Sequence, residues 1–226
     1  MQDNQLSKVL LINKPIEWTS FDVVKKIRNS IKKKYSINRI KVGHAGTLDP
    51  LATGLLIICI GNKTKIIQEF TNLDKTYNGT LKLGAVTDSF DSETQEKNIK
   101  PYHLITADQI SQSFSHFIGE ISQTPPIFSA IKIKGEPLYK KARRGELHIA
   151  IKKRKIIIYK LRVLSVDLPF VKFQVKCSKG TYIRTLVNDI GHRLGCGAYL
   201  YELSRTSIGK YKLDQAINIV DIEDFL

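Results

Sequence analysis

Apolar positions in this chain come in short runs and spaced series, and their two periods predict most of its elements. Residues 9–12 are an apolar run closed by Asn13-Lys14-Pro15, a strand running into a loop. Val24, Ile27 and Ile31 recur at helical spacing behind Thr19 and Ser20, either of which can cap a helix. Lys32, Lys33 and Lys34 suit the last turn of that helix, where positive charge favours the dipole. Past a glycine-punctuated loop, residues 55–60 read as a buried strand, followed by a helix over about 62–71 and an alternating strand over 77–83. Residues 88–101 are polar and turn-rich and predict an exposed loop. Thr106 caps a third helix with Ile110, Phe114 and Phe117 on one side, and residues 129–133 with Lys134-Gly135 resemble a hairpin. Two long strands over 155–166 and 171–177 flank the Asp167-Leu168-Pro169 turn. Ile183, Leu186, Val187, Ile190 and Leu194 then mark a helix over 182–194 that Gly195 ends. A strand over 198–203 and a short helix over 219–225 complete the chain. Strands outnumber helices and do not alternate with them regularly. The fold class this predicts is α+β, a mixed, largely antiparallel sheet core with flanking helices. No internal repeat or linker is present, so residues 1–226 read as one domain with a basic inserted segment at about 120–155.

Composition narrows the function. Of the 226 residues 42% are hydrophobic and 25% charged, which excludes wholesale disorder. No apolar run approaches the roughly 20 residues of a membrane span, and Met1-Gln2-Asp3-Asn4 lacks the features of a secretory signal, so a cytoplasmic protein is expected. Cys59, Cys177 and Cys196 form neither a C-x-x-C pair nor a disulfide framework, and no histidine pairs with a cysteine or histidine at ligand spacing, so no metal is expected. Lys and Arg number 36 against 21 Asp and Glu, a formal charge of +15. That charge on a core-forming chain points to a polyanion, most often nucleic acid; a lysine-rich composition bias is the bland alternative.

The segment Gly43-His44-Ala45-Gly46-Thr47-Leu48-Asp49-Pro50-Leu51-Ala52-Thr53-Gly54 is the most unusual in the chain. Its glycines permit left-handed backbone or close approach by another backbone or a ligand. Asp49 before Pro50 fits a helix N-cap followed by a first helical residue, a complete structural role. The other reading is a carboxylate presented as a nucleophile on a rigid loop. His44 is either a loop hydrogen-bonder or a contact to a phosphate or a displaced base. No G-x-x-x-x-G-K-[ST] cradle and no G-x-S-x-G elbow occurs, which disfavours nucleotide hydrolysis and acyl transfer.

Residues 41–61, which contain that segment, resemble the catalytic-aspartate block of the TruB-type tRNA pseudouridine synthases. Four further blocks are similar to that family in order: Leu11-Ile12-Asn13-Lys14-Pro15, Asp74-Lys75-Thr76-Tyr77, residues 123–132 running into 139–145, and residues 177–185. The likeness covers roughly residues 9–211. It implies isomerisation of uridine 55 in the TΨC loop of tRNA to pseudouridine, by base flipping at an aspartate, without a cofactor. Access is then the energetic problem, because unstacking a base costs a few kcal/mol.

Residue by residue, the resemblance makes Asp49 the nucleophile and Arg184 the guanidinium that pairs with it. An Arg in a helix's first turn faces the positive dipole end and needs a carboxylate, which Asp49 would supply. Tyr77 matches a tyrosine that stacks on the flipped base, a safer role than that of base, since a phenol is a weak one. Tyr182 and Leu203 match positions lining the base pocket, though ordinary core packing accounts for them as well. His44 matches a residue that fills the space the base leaves. Lys14-Pro15 matches a motif shaping the floor of the site. Lys140, Lys141, Arg143, Arg144, Lys152, Lys153, Arg154 and Lys155 are the densest basic zone, a solvated face by itself and a tRNA contact in the family context. Many bacterial members continue into a small RNA-binding C-terminal module; the chain stops at Leu226, about where it would begin, so no separate C-terminal RNA-binding domain is expected. A monomer with tRNA as partner and no obligatory protein partner follows. A non-catalytic RNA binder would not need Asp49 beside an anionic ligand, and a base-removing hydrolase would release free uracil.

Overall fold

A computed structural model of the chain describes residues 6–146 and 149–226. It divides into two compact units, Met1–Asn78 with Leu203–Leu226, and Gly79–Glu202. Strands β4 (Lys75–Leu83) and β10 (Ala198–Ile208) each run across that division.

In the first unit β3 (Ala52–Ile60) is the central strand. Along one edge it pairs antiparallel with β1 (Val9–Lys14), Val9 facing Cys59 and Lys14 facing Gly54. Its other edge is shared: β2 (Val42–Ala45) runs antiparallel beside Ile57 to Ile60, and β10 runs parallel with Leu203 opposite Ala52 and Arg205 opposite Gly54. Helix α1 (Ser20–Tyr35) covers one face of this sheet with Val23, Val24, Ile27 and Ile31 against Leu56, Ile58 and Ile60, while Leu55, Ile57 and Cys59 pack on the other with Ala45, Phe70 and Ile208. Burial on both faces is why β3 reads as an unbroken apolar run. Thr19 and Asp22 form the capping box of α1. Strand β11 (Tyr211–Lys212) pairs with β10, and β12 (Ile217–Asn218) with β1.

The second unit carries β5 (Gly119–Gln123), β8 (Arg154–Asp167) and β9 (Phe170–Cys177) in antiparallel order. Val171, Phe173, Val175 and Cys177 alternate inward along β9, and Phe173 meets Phe114 of α3 (Ala107–Ser115) edge to face at 6.0 Å. A capping box of Thr106 and Gln109 starts α3. A small hairpin, β6 (Lys132–Ile133) with β7 (Glu136–Pro137), leads into α4 (Leu138–Arg143). Helix α5 (Ile183–Leu194) ends at Gly195 in the left-handed region, φ 83°.

The α+β class with a largely antiparallel sheet and flanking helices is as the sequence predicts. Several elements differ in kind. The helix expected over 62–71 is a 3-10 stretch, Gly61–Ile66, followed by α2 (Ile67–Asn72), and the terminal helix is the 3-10 segment Ile219–Phe225. Strands β2, β5, β11 and β12 carry too few apolar residues to show as strands in the sequence. The polar stretch after β4 is not wholly exposed, since Ser89 and Asp91 are buried and Val86 bridges Lys97.

Candidate active site

Asp49 caps no helix. The chain turns at Asp49-Pro50-Leu51-Ala52, closed by the Ala52 amide donating to the Asp49 carbonyl at 3.1 Å, and enters β3 directly. Pro50 sits at the second turn position, where its fixed φ fits. The half-buried Asp49 side chain is therefore not spent on a helix terminus, and the capping explanation of this residue falls.

Two buried cations hold the main chain around this turn. Lys14, with none of its surface exposed, donates to the carbonyls of Pro15 at 2.8 Å, Trp18 at 2.6 Å and Pro50 at 3.3 Å. Arg205, 1% exposed, donates to the Leu55 carbonyl at 2.8 Å, the Gly46 carbonyl at 2.9 Å and the Thr47 carbonyl at 3.5 Å. Ser20 adds a third tie, its hydroxyl accepting from the Leu48 amide at 2.8 Å and donating to the Leu48 carbonyl at 3.1 Å. These acceptors are main-chain oxygens, so both cations keep their charge unneutralised by them. Burial lowers the Lys14 ammonium to about 8, Arg205 adding to the fall while Asp49 opposes it. Asp49 thus lies in a positive field within its own unit.

His44 lies on β2 opposite Ile58, part-buried, and its Nδ1 has no hydrogen-bond partner among the described residues. Burial, then Arg205, holds its pKa below the usual histidine value. Leaving a buried nitrogen unsatisfied costs about 1–3 kcal/mol. Leu203, half-buried, stands opposite Ala52 at the mouth of β3, and the Thr53 hydroxyl donates to its carbonyl at 3.4 Å. Tyr77, 8% exposed, is on β4, where the Thr206 hydroxyl of β10 donates to the adjacent Thr76 carbonyl at 3.2 Å. The first unit thus brings His44, Asp49, Tyr77 and Leu203 onto neighbouring strands and the turn between them.

The second unit carries Tyr182 and Arg184. Tyr182 is the N-cap of α5; its amide donates to the Gln123 side-chain oxygen at 2.8 Å and its carbonyl accepts from the same amide group at 3.0 Å. Arg184, in the first turn, is 4% exposed. It donates to the carbonyls of Ser89 at 3.0 Å and Phe128 at 2.9 Å, and its Nε lies 3.5 Å from the Asp91 carboxylate. Asp91 is 5% exposed and accepts from the Glu93 amide at 3.0 Å. Within this unit, Asp91 meets the demand for an acid beside Arg184 that the sequence reading assigned to Asp49. Asp91 and Arg205 were both missed: Asp91 is one acid in a polar stretch, and Arg205 lies beyond the expected end of its strand.

The basic zone is only partly open. Arg144 pairs with Glu136 at 2.6 Å and Glu146 at 2.9 Å, Lys141 with both, Arg143 with Glu93 at 2.6 Å and Lys155 with Glu120 at 2.8 Å. Arg144 accordingly holds the Glu136 carboxyl down to about 2. Lys140, Lys152, Lys153 and Arg154 are exposed. Among the described residues no cluster of three or more potential metal ligands occurs, and no helix is long and apolar enough to cross a membrane.

Residues 32–183 match the model of the TruB family pseudouridylate synthase (N terminal domain), and residues 184–226 match that of the tRNA pseudouridylate synthase B C-terminal domain. A protein of Parabacteroides distasonis named tRNA pseudouridine synthase B is 48% identical over 219 residues, 97% of this chain and 93% of that protein. One of the same name from Flavobacterium johnsoniae is 46% identical over 220 residues, covering 97% and 96% of the two chains. Among solved structures, a chain from a Cbf5-Nop10-Gar1 complex superposes with a TM-score of 0.72 at 30% identity, over 99% of this chain and 55% of that one. The matched model spans most of the chain and includes the turn that carries Asp49, so the chain belongs to the TruB family of pseudouridylate synthases.

Proposed function

We propose that this enzyme converts uridine 55 in the TΨC loop of tRNA to pseudouridine. The N1–C1′ bond of the nucleoside breaks and a C5–C1′ bond forms; C5 loses a proton and N1 gains one. Bonds and electrons balance, so the reaction asks for no redox partner and no energy source.

The observation that carries this reading is the Asp49 carboxylate on a turn whose main chain is fastened by Lys14 and Arg205. A nucleophile must be held still to gain from proximity, and two buried cations with main-chain acceptors provide that rigidity. Tyr77 stacks on the everted uracil, and His44 enters the space it leaves in the loop. Leu203 lines the base pocket; for Tyr182 and Arg184, in the second unit, a place in the site rests on the resemblance alone. Extraction of the base costs a few kcal/mol, offset by pocket contacts and by phosphate binding to the +15 chain. In this reading the protein acts as a cytoplasmic monomer on tRNA, with no protein partner.

The test is incubation with an unmodified tRNA transcript and mapping of pseudouridine. The wild type gives product at position 55, while Asp49→Asn binds tRNA and gives none. The turn survives that substitution because it is closed through the Asp49 main chain. Product at another position, or an active Asp49→Asn, would overturn the assignment.

A further inference from the structure

Within the second unit, one face of the β8–β9 ribbon packs inward through Ile156, Ile158, Leu161, Val171, Phe173 and Val175. A register shift between Ile158 and Lys160 changes the parity of β8, so that Tyr159 and Lys160 are both exposed. A bulge of this kind re-aims a side chain. Beyond it Lys160 and Arg162 stand on the outer face, and Lys172 and Lys176 stand there on β9. None of these four is in an ion pair among the described residues. Arg162 donates instead to the neutral Gln174 side chain at 2.7 Å.

The register makes this more than a solvated surface. Lys160 and Lys176 are direct cross-strand partners, and like charges directly opposite one another destabilise a sheet. Lys176 Nζ also lies 5.8 Å from the centre of the Tyr159 ring, itself 45% exposed. Lysines facing each other across a ribbon cost the free protein stability that a bound polyanion restores, while the Tyr159 ring offers Lys176 a favourable cation–π contact. Phosphates bind the ammonium and guanidinium groups, and a π-face accepts a base.

We propose that the outer face of the β8–β9 ribbon, through Lys160, Arg162, Lys172, Lys176 and Tyr159, is an RNA-docking surface that grips the phosphate backbone of the substrate. It deepens the reading of the protein as a tRNA-modifying enzyme and rests on that reading for the identity of the RNA. The ion pairs that engage Lys141, Arg143, Arg144 and Lys155 leave this face as a source of unpaired charge.

The experiment titrates an unmodified tRNA transcript with the wild type and with Lys160→Gln/Lys172→Gln/Lys176→Gln, followed by fluorescence anisotropy between about 50 and 200 mM salt. A control triple, Lys25→Gln/Lys33→Gln/Lys210→Gln, removes the same charge from exposed positions of the first unit. The ribbon triple should weaken binding about tenfold to a hundredfold and reduce the slope of log affinity against log salt by about two to three. Its thermal midpoint should stay at or above the wild-type value, because a like-charge pair is gone. Affinity equal to the wild type, or an equal loss in the control triple, would overturn the proposal. Pseudouridine formation, measured in parallel, separates the two readings. Ribbon-dependent binding without product leaves the docking surface standing and removes the enzymatic assignment. Product at position 55 with unchanged binding by the ribbon triple does the reverse.

Discussion

The guanidinium of Arg205 donates to the carbonyl of Gly46 at 2.9 Å, three residues ahead of Asp49. Through its Nε the same group holds the Leu55 carbonyl at 2.8 Å, beyond the turn. One buried cation thus ties the chain on both sides of the candidate nucleophile, and Lys14 ties the turn itself at Pro50.

A lysine cannot reproduce that fork, since its donors sit on one nitrogen and cannot span from the Gly46 carbonyl to the Leu55 carbonyl as the separate guanidinium nitrogens do. Arg205→Lys should therefore leave one or two main-chain oxygens unsatisfied, lowering stability by about 1–3 kcal/mol. Turnover should fall further than stability suggests. A displacement of about 1 Å at the reacting group can cost about a hundredfold in rate. Single-turnover rates at saturating tRNA, with urea unfolding alongside, check this; a variant with wild-type turnover would show that the fork does not position Asp49.

Two glycines near the turn should respond differently to alanine. A Cβ on Gly54, φ +99°, would meet the Arg205 carbonyl oxygen at 2.5 Å and its amide nitrogen at 2.8 Å. Neither can move without parting β3 from β10. A Cβ on Gly46, φ +88°, would meet nothing closer than Arg205 Nη1 at 3.6 Å, an ordinary contact, leaving only the backbone strain. Gly46→Ala should cost about 1–2 kcal/mol and Gly54→Ala about 3 kcal/mol or more. Equal losses in chemical denaturation would contradict the ranking.

Those glycines show how far the sequence could be read. Their clustering permits close approach by another backbone or a ligand, and at Gly54 it is the backbone of Arg205 that comes close. It did not announce which partner, because β10 returns to β3 from about 150 residues away and pairing at that distance leaves no local pattern. The helices α1, α3 and α5 were legible because their apolar stripes and caps are local. Strand β5, Gly-Glu-Ile-Ser-Gln, was not, since it takes its order from pairing along β8. The same reason explains Asp49: Asp-Pro serves a helix start and a tight turn equally well, and the strand that follows decides between them. Asp91 and Arg205 were hidden because their value lies in burial, which charged side chains do not advertise.

Asp91 offers a sharp test of that hidden layer. Both it and Arg184 are buried, and breaking a buried ion pair by removing one partner costs about 3–5 kcal/mol. Asp91→Ala should approach that loss. Asp91→Asn keeps an oxygen for the Glu93 amide and should lose less stability while still lowering turnover. A double-mutant cycle with Arg184→Met should be strongly non-additive. Additive losses within about 0.5 kcal/mol would mean that the two side chains do not work as a unit.

Lys14 makes stability depend on alkaline pH with a definite sign. Its ammonium is lowered to about 8 in the folded chain against an ordinary 10.5. Below pH 8 both folded and unfolded chains carry the proton, and the penalty for burying the charge is present in full. Between those two values the unfolded chain holds a proton that the folded one has released, so this residue's contribution to stability rises with pH there. Lys14→Met removes the titration along with the donors to Pro15, Trp18 and Pro50. The variant should be less stable throughout, and the wild type's lead should widen on going from about pH 7 to about pH 10, by at most about 1.4 kcal/mol per pH unit. Urea unfolding of both proteins at the two pH values measures the difference directly, and subtraction cancels every other titrating group they share. A lead that stays constant or shrinks would mean that Lys14 keeps its proton in the folded protein as readily as in water.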